Sequence, residues 1–149
     1  MTICEVKKDL FTVDESYWLC HCISADFKMG AGIAVEFAKR FDVKRKLNWY
    51  YHFNYLNDIW RKYHLRGDCL ITDGVLNLVT KELYFHKPGY DSMCIALETM
   101  GCVLKRSGIK KIAMPKIGCG LDGLDWILVR EIIENVFEDM DIDILVCEL

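Results

Sequence analysis

Two segments constrain the fold of this chain more than any other feature. In His21–Ala34 and again in Met114–Trp126, an apolar, strand-like run leads into a turn with paired glycines, and a helix-like stripe follows. The turns read Gly30-Ala31-Gly32 and Gly118-Cys119-Gly120. A strand that hands over directly to a helix must cross over before it can pair again. Repeated along a chain, that pattern implies parallel pairing with helices on the faces of a sheet.

The rest of the chain keeps to the same rhythm. Period-2 alternation and short apolar runs predict strands near Thr2–Val6, Trp18–Ile23, Cys69–Thr72, Val75–Thr80, Lys111–Met114 and Ile142–Cys147. Helical stripes fall between them. Ile33, Phe37 and Phe41 form one, and Met93, Leu97, Met100 and Leu104 a second; Val129, Ile132, Ile133, Val136 and Phe137 form a third. The third helix is expected to start near Asp125, a good N-cap residue ahead of Trp126. The expected architecture is α/β: a single three-layer α/β/α domain over residues 1–149 around a mixed, mostly parallel sheet, with no repeat and no linker.

One stretch fits this rhythm less well. Asp42–Gly67 interleaves Trp49, Tyr50, Tyr51, Phe53, Tyr55, Trp60 and Tyr63 with Lys44, Arg45, Lys46, Arg61, Lys62 and Arg66. Residues 39–66 carry a local charge of +6 within a chain of net charge −3. Two helices crossing one edge of the sheet are expected here, with an apolar inner face and a solvated basic outer face. The competing reading is a nucleic-acid surface, which would use phosphate contacts and base stacking.

Eight cysteines are present, yet no C-x-x-C pair occurs and His21 is expected on the opposite strand face from Cys20 and Cys22. No metal site is expected; reduced core cysteines in a reducing, cytoplasmic setting are. The first residues lack the pattern of a signal peptide, and no apolar run is long enough to cross a bilayer, so no membrane partner is expected.

Glycines at a strand-to-helix turn let a ligand approach the backbone, and free N–H groups at a helix start suit a diphosphate. Both turns would emerge at the carboxyl ends of strands, where open α/β sheets bind ligands. Neither the P-loop nor the dinucleotide fingerprint is present, so the ordinary nucleotide-hydrolase and NAD-oxidoreductase readings lose ground.

Four ordered motifs then make the reading specific. They are Val6-Lys7-Lys8-Asp9-Leu10-Phe11, the first glycine segment, Thr80-Lys81 followed by His86-Lys87-Pro88, and Pro115-Lys116-Ile117-Gly118-Cys119-Gly120-Leu121-Asp122. Together they resemble the macrodomain superfamily, and within it the terminal ADP-ribose protein glycohydrolases. The resemblance runs nearly end to end and implies a six- or seven-stranded mixed sheet with ADP-ribose in a cleft across the strand ends. It implies that Asp9 accepts from the adenine amino group, with Leu10 beside it. Gly30, Ala31, Gly32 and Ile33 would line the diphosphate and distal ribose, and Ser24 would bond the ligand or cap a turn. Ile117, Gly118, Cys119, Gly120 and Leu121 would form the second phosphate loop through their backbone.

Lys81 and Asp122 are the catalytic candidates that the resemblance supplies. Lys81 would attack C1″ of an ADP-ribosylated carboxylate, and Asp122 would resolve the covalent adduct; Asp125 is left to capping, and Lys87 to a structural or phosphate-facing place. Glu82, directly after Lys81, is a candidate partner for a lysine. The expected activity is removal of terminal mono-ADP-ribose from Glu or Asp side chains of proteins, by a monomer needing no cofactor. The alternatives are hydrolysis of O-acetyl-ADP-ribose, release of ADP-ribose from thymine bases in DNA, and a reader that only binds ADP-ribose.

Overall fold

A computed structural model describes residues 1–51 and 54–149 of the chain. Six strands form one sheet: β1 (Thr2–Lys7), β2 (Trp18–Ser24), β3 (Asp68–Thr72), β4 (Val75–Lys81), β5 (Lys111–Met114) and β6 (Asp143–Glu148). Their spatial order is β1-β6-β5-β2-β4-β3. All neighbours are parallel except β3 and β4, which pair antiparallel. The exception has a local cause. Only Asp73 and Gly74 separate those two strands, and Gly74 has φ +75°, so the chain turns straight back as a hairpin.

Among the described residues, four α-helices cover the sheet: α1 (Ile33–Phe41), α2 (Val43–Tyr50), α3 (Tyr90–Ser107) and α4 (Trp126–Phe137). On one face, Met93, Leu97 and Met100 of α3 and Val129, Ile133 and Phe137 of α4 pack on Cys20, Leu76, Leu78, Ile112 and Ile144. On the other, Phe37 of α1 and Leu47 of α2 pack on Leu19, Val75, Val79 and Ala113. The three-layer arrangement expected from periodicity is therefore present. Asp125 caps α4 as its position suggested, its carboxylate accepting from the Ile127 N–H at 3.0 Å.

Strand alternation decides the fate of His21. Cys20 faces the α3 side, so His21 faces α1, where its ring stacks on Phe37 with centroids 3.9 Å apart. It is fully buried, and Nε2 donates to Asn77 Oδ1 at 2.6 Å. The Asn77 amide itself donates to Leu70 O and Thr72 Oγ1, which leaves its oxygen to accept. Among the described residues Nδ1 has no partner, and burial holds the imidazole pKa down to about 4.

Two expectations need correction. The Asp42–Gly67 stretch does lie along an edge, with α2 packed on edge strand β3, but its second helical piece is a π-helical turn, Leu56–Arg61. Tyr55 and Trp60 are buried, as aromatics on an inner face should be. Trp49, Tyr50 and Tyr63, however, are exposed on the basic outer face, and Phe53 lies outside the described residues. Tyr51 serves the sheet edge instead. Its hydroxyl donates to Ile71 O and accepts from Ile71 N, both at 2.8 Å. It thereby satisfies backbone groups that an edge strand otherwise leaves open to pairing. The second correction concerns cysteine. All eight are free, but only Cys20, Cys69 and Cys147 are buried, whereas Cys4 and Cys102 are exposed.

Candidate functional site

Because five strands run the same way, the carboxyl ends of β5, β2 and β4 lie side by side at one end of the sheet. A cleft of about 1020 Å³ opens there. Its walls are the two glycine-bearing loops and its inner end is the tip of β4. Four lysines, Lys28, Lys81, Lys87 and Lys116, line it against a single carboxylate, Asp122. The resulting field suits a ligand carrying about two negative charges, as a diphosphate does.

The first loop leaves β2 at Ser24 and passes Phe27 and Met29, both at positive φ, before Gly32 opens α1 at φ +62°. Asp26 holds this path together. Its carboxylate accepts from the Ser24 hydroxyl at 2.5 Å, from the Lys28 N–H at 3.1 Å and from the Tyr84 N–H at 2.9 Å. One side chain thus ties the first loop to the loop after β4. The Ser24 hydroxyl is accordingly used to brace Asp26, although Ser24 still lines the cleft.

The second loop turns at Gly118, whose φ of +73° favours glycine, and closes on itself through Cys119 N to Lys116 O and Leu124 N to Gly118 O. The N–H of Cys119 is consumed in that turn, and its side chain does not line the cleft, Sγ lying 3.2 Å from Ile117 O. Leu121 reaches across instead. Its Cδ1 lies 3.5 Å from where a Cβ on Gly32 would sit, so the two loops meet over the cleft. Gly30 and Gly120 have open space where a side chain would stand.

At the inner end, a register shift brings the chemistry together. β2 and β4 pair residue for residue up to Ile23 and Val79, and then Ser24 pairs with Lys81. The extra residue, Thr80, makes a bulge that re-aims the last residue of the strand. The Lys81 ammonium meets the Asp122 carboxylate at 2.8 Å, with both side chains less than a fifth exposed. Glu82 does not compete for this lysine: it pairs with Arg61 at 3.2 Å. Lys87 donates from Nζ to Leu121 O at 2.6 Å, bracing the second loop at the rim.

The thiols nearby are poor nucleophiles. Burial, with Asp122 close by, pushes the Cys22 thiol up to about 12, and burial likewise raises Cys119. Among the described residues no group of His, Cys, Asp and Glu could hold a metal ion.

Of the candidate residues, Ser24, Gly30, Ala31, Gly32, Ile33, Lys81, Ile117, Gly118, Gly120, Leu121 and Asp122 meet around the cleft, while Asp9, Leu10 and Cys119 do not line it. Asp9 stands just past the carboxyl end of β1, at the same end of the sheet, and caps a 3₁₀ turn over Leu10–Thr12 by accepting from Phe11 N at 3.0 Å. Leu10 is buried in the core on the α1 side. Asp26, Tyr84 and Lys28 were not singled out from the sequence, and only the spacing of Asp26 two residues after Ser24 could have signalled a turn-bracing carboxylate.

Comparison with known proteins agrees with this geometry. No family model matches the chain. The ADP-ribose glycohydrolase OARD1 of Bos taurus is 42% identical over 146 residues, covering 97% of this chain and 90% of that protein. The chain belongs to the OARD1 family of ADP-ribose glycohydrolases. The human OARD1 is 41% identical over the same length. Among solved structures, the macrodomain of Mycobacterium tuberculosis DarG superposes with a TM-score of 0.80 at 22% identity, covering 99% of this chain and 98% of that one. At that identity the match speaks to the fold, which is the macrodomain fold. An OARD1-family chain thus carries the two glycine loops and the lysine–aspartate pair on a six-stranded sheet.

Proposed function

We propose that this protein hydrolyses the ester joining C1″ of ADP-ribose to a Glu or Asp side chain, releasing the free carboxylate. The observation that carries the reading is the Lys81–Asp122 pair at 2.8 Å, at the inner end of a lysine-lined cleft. Binding alone needs neither residue, and an ion pair held this far out of water costs desolvation that a reader would not retain. The diphosphate lies between the two glycine loops, and the distal ribose reaches the tip of β4. Family membership supports the ligand; the lysine route rests on the pair itself.

In this mechanism Asp122 accepts a proton from the Lys81 ammonium across the existing hydrogen bond. The freed amine attacks C1″, the C1″–oxygen bond breaks, and its electron pair leaves with the acceptor as a carboxylate. Asp122, having passed its proton to solvent, then takes one from water. That water adds to C1″ and expels the Lys81 amine, which is reprotonated. The products are ADP-ribose, a carboxylate and one proton. An acetyl ester at the same carbon presents the same bond to the same groups, so 1″-O-acetyl-ADP-ribose is a second substrate of this site. Eight free cysteines suit a reducing compartment such as the cytoplasm.

The test is a pair of variants. Lys81→Ala is expected to lose turnover on glutamyl-ADP-ribose by on the order of a thousandfold while still binding free ADP-ribose. Asp122→Ala is expected to accumulate protein carrying one ADP-ribose on Lys81, seen by intact mass and located by peptide mapping. Since removing either partner strands a largely buried charge, thermal melts must first show both variants folded. An adduct on another residue, or unchanged turnover in both variants, refutes the mechanism.

A further inference from the structure

The cleft does not end at Lys81. A second, shallower groove of about 550 Å³ starts on its far side and shares Lys81 and Lys87 with the cleft as a common wall. Trp60 and Leu65 lie at its base, and Arg66, Glu82, His86 and Asp91 stand around it. Among the described residues, neither glycine loop of the cleft lines this groove, and the ADP-ribose reading makes no use of it. In the hydrolase reading, on which this inference rests, the bond that breaks joins C1″ to the acceptor beside Lys81. Whatever carries the acceptor must leave on the side that ADP-ribose does not occupy. We propose that this groove is the acceptor site and that its occupant is the polypeptide flanking the modified Glu or Asp.

The chemistry of the groove favours a polypeptide. Arg66 is tied to Asp91 at 3.3 Å and Arg61 to Glu82 at 3.2 Å, so the arginines here already face carboxylates. A nucleic-acid strand needs a run of cations free to follow its phosphates. A small apolar base ringed by mixed donors and acceptors suits backbone amides and short side chains instead. His86 adds a directed donor. Its Nδ1 accepts from the Leu83 N–H at 3.3 Å, which leaves the ring proton of the neutral form on Nε2. That N–H is available to a peptide carbonyl or to the carboxylate as it is released. Next to it, Phe85 is 64% exposed and packs edge-on against both Tyr84 and His86, at 5.3 and 4.8 Å between centroids. An aromatic pinned in place yet open to solvent is a ready apolar contact for an acceptor chain.

Two substrates with the same scissile ester test the proposal. One is 1″-O-acetyl-ADP-ribose, whose acetyl group is too short to occupy the groove; the other is a glutamyl-ADP-ribose peptide extending several residues to each side. Phe85→Ala, Arg66→Glu and His86→Ala alter residues that do not line the cleft. Each is expected to lower kcat/KM on the peptide about tenfold, mainly through KM, and to leave turnover of the acetyl ester unchanged. Melting temperature and ADP-ribose affinity check that the variants are folded with the cleft intact. Equal losses on both esters, or no loss on either, overturn the acceptor groove while leaving the hydrolase reading standing. Losses confined to an ADP-ribosylated DNA strand, with the peptide unaffected, overturn the polypeptide as occupant. Wild-type protein that cleaves neither ester overturns the hydrolase reading, and the groove's role falls with it.

Discussion

Replacing Gly118 by alanine separates what the second loop does for the fold from what it does for a ligand. The residue sits at φ +73°, and a Cβ there would stand 2.7 Å from Met93 Cε and 2.9 Å from Leu124 Cδ1. The left-handed backbone costs a non-glycine residue about 1–2 kcal/mol. The overlap adds about 1–2 kcal/mol, near the low end for overpacking, because both clashing atoms are the ends of flexible side chains. The neighbours cannot move freely, however, since Met93 is wholly buried on the inner face of α3. A total of about 3 kcal/mol corresponds to a fall in Tm of about 6–12 °C for a domain of this size. Gly120→Val provides the contrast: Gly120 has no positive φ and nothing within 4 Å of its missing Cβ. That variant should melt close to wild type yet lose ADP-ribose binding by calorimetry, because the side chain would project into the space of the phosphates. Scanning calorimetry and titration on both variants check the pair. Gly118→Ala melting within about 2 °C of wild type would refute the steric reasoning, and a folded Gly120→Val that still binds would show that this loop is not the phosphate cradle.

Two further predictions concern acidity and salt. Since burial holds His21 near pKa 4 against 6.5 for the free residue, the unfolded chain binds the proton more readily. Its contribution to stability is therefore intact above pH 6.5 and drains away as pH falls toward 4, by about 1.4 kcal/mol per pH unit and about 3 kcal/mol in all. Urea midpoints measured at pH 7 and 5 should fall more for wild type than for His21→Gln, which can still donate to Asn77; parallel falls would refute the assignment. On the basic outer face, Arg45 pairs with Asp42, Lys46 with Asp73, Arg61 with Glu82 and Arg66 with Asp91. Single-stranded DNA is accordingly expected to give no mobility shift at physiological salt, and a clear shift there would restore Trp49, Tyr50 and Tyr63 as a stacking surface.

What the sequence determined by itself is whatever local chemistry settles. Alternation placed the strands within a residue or two, as in Trp18–Ser24 and Lys111–Met114, because a strand with buried faces must keep a period of two. Helical stripes assigned the faces of α1, α3 and α4 for the same kind of reason, and Asp125 marked its own helix start. Paired glycines after strands pointed to the cleft, since few other residues permit a turn that tight beside a ligand. Tertiary structure decided the rest. Lys81 and Asp122 are 41 positions apart, and no local rule brings them together; the order β5-β2-β4 and the one-residue bulge at Thr80 do. Equally, nothing in the string Lys81-Glu82 tells which partner Glu82 will take. It finds Arg61, the last residue of the π-helical turn, which lies 21 positions earlier in the chain. Cys119 lies between two glycines of a phosphate-loop motif yet is directed into the loop's own turn, and three of the aromatics in the 42–67 stretch look outward although their spacing is helical. Such outcomes depend on which surfaces remain uncovered once the layers have packed, and a one-dimensional pattern does not contain that information.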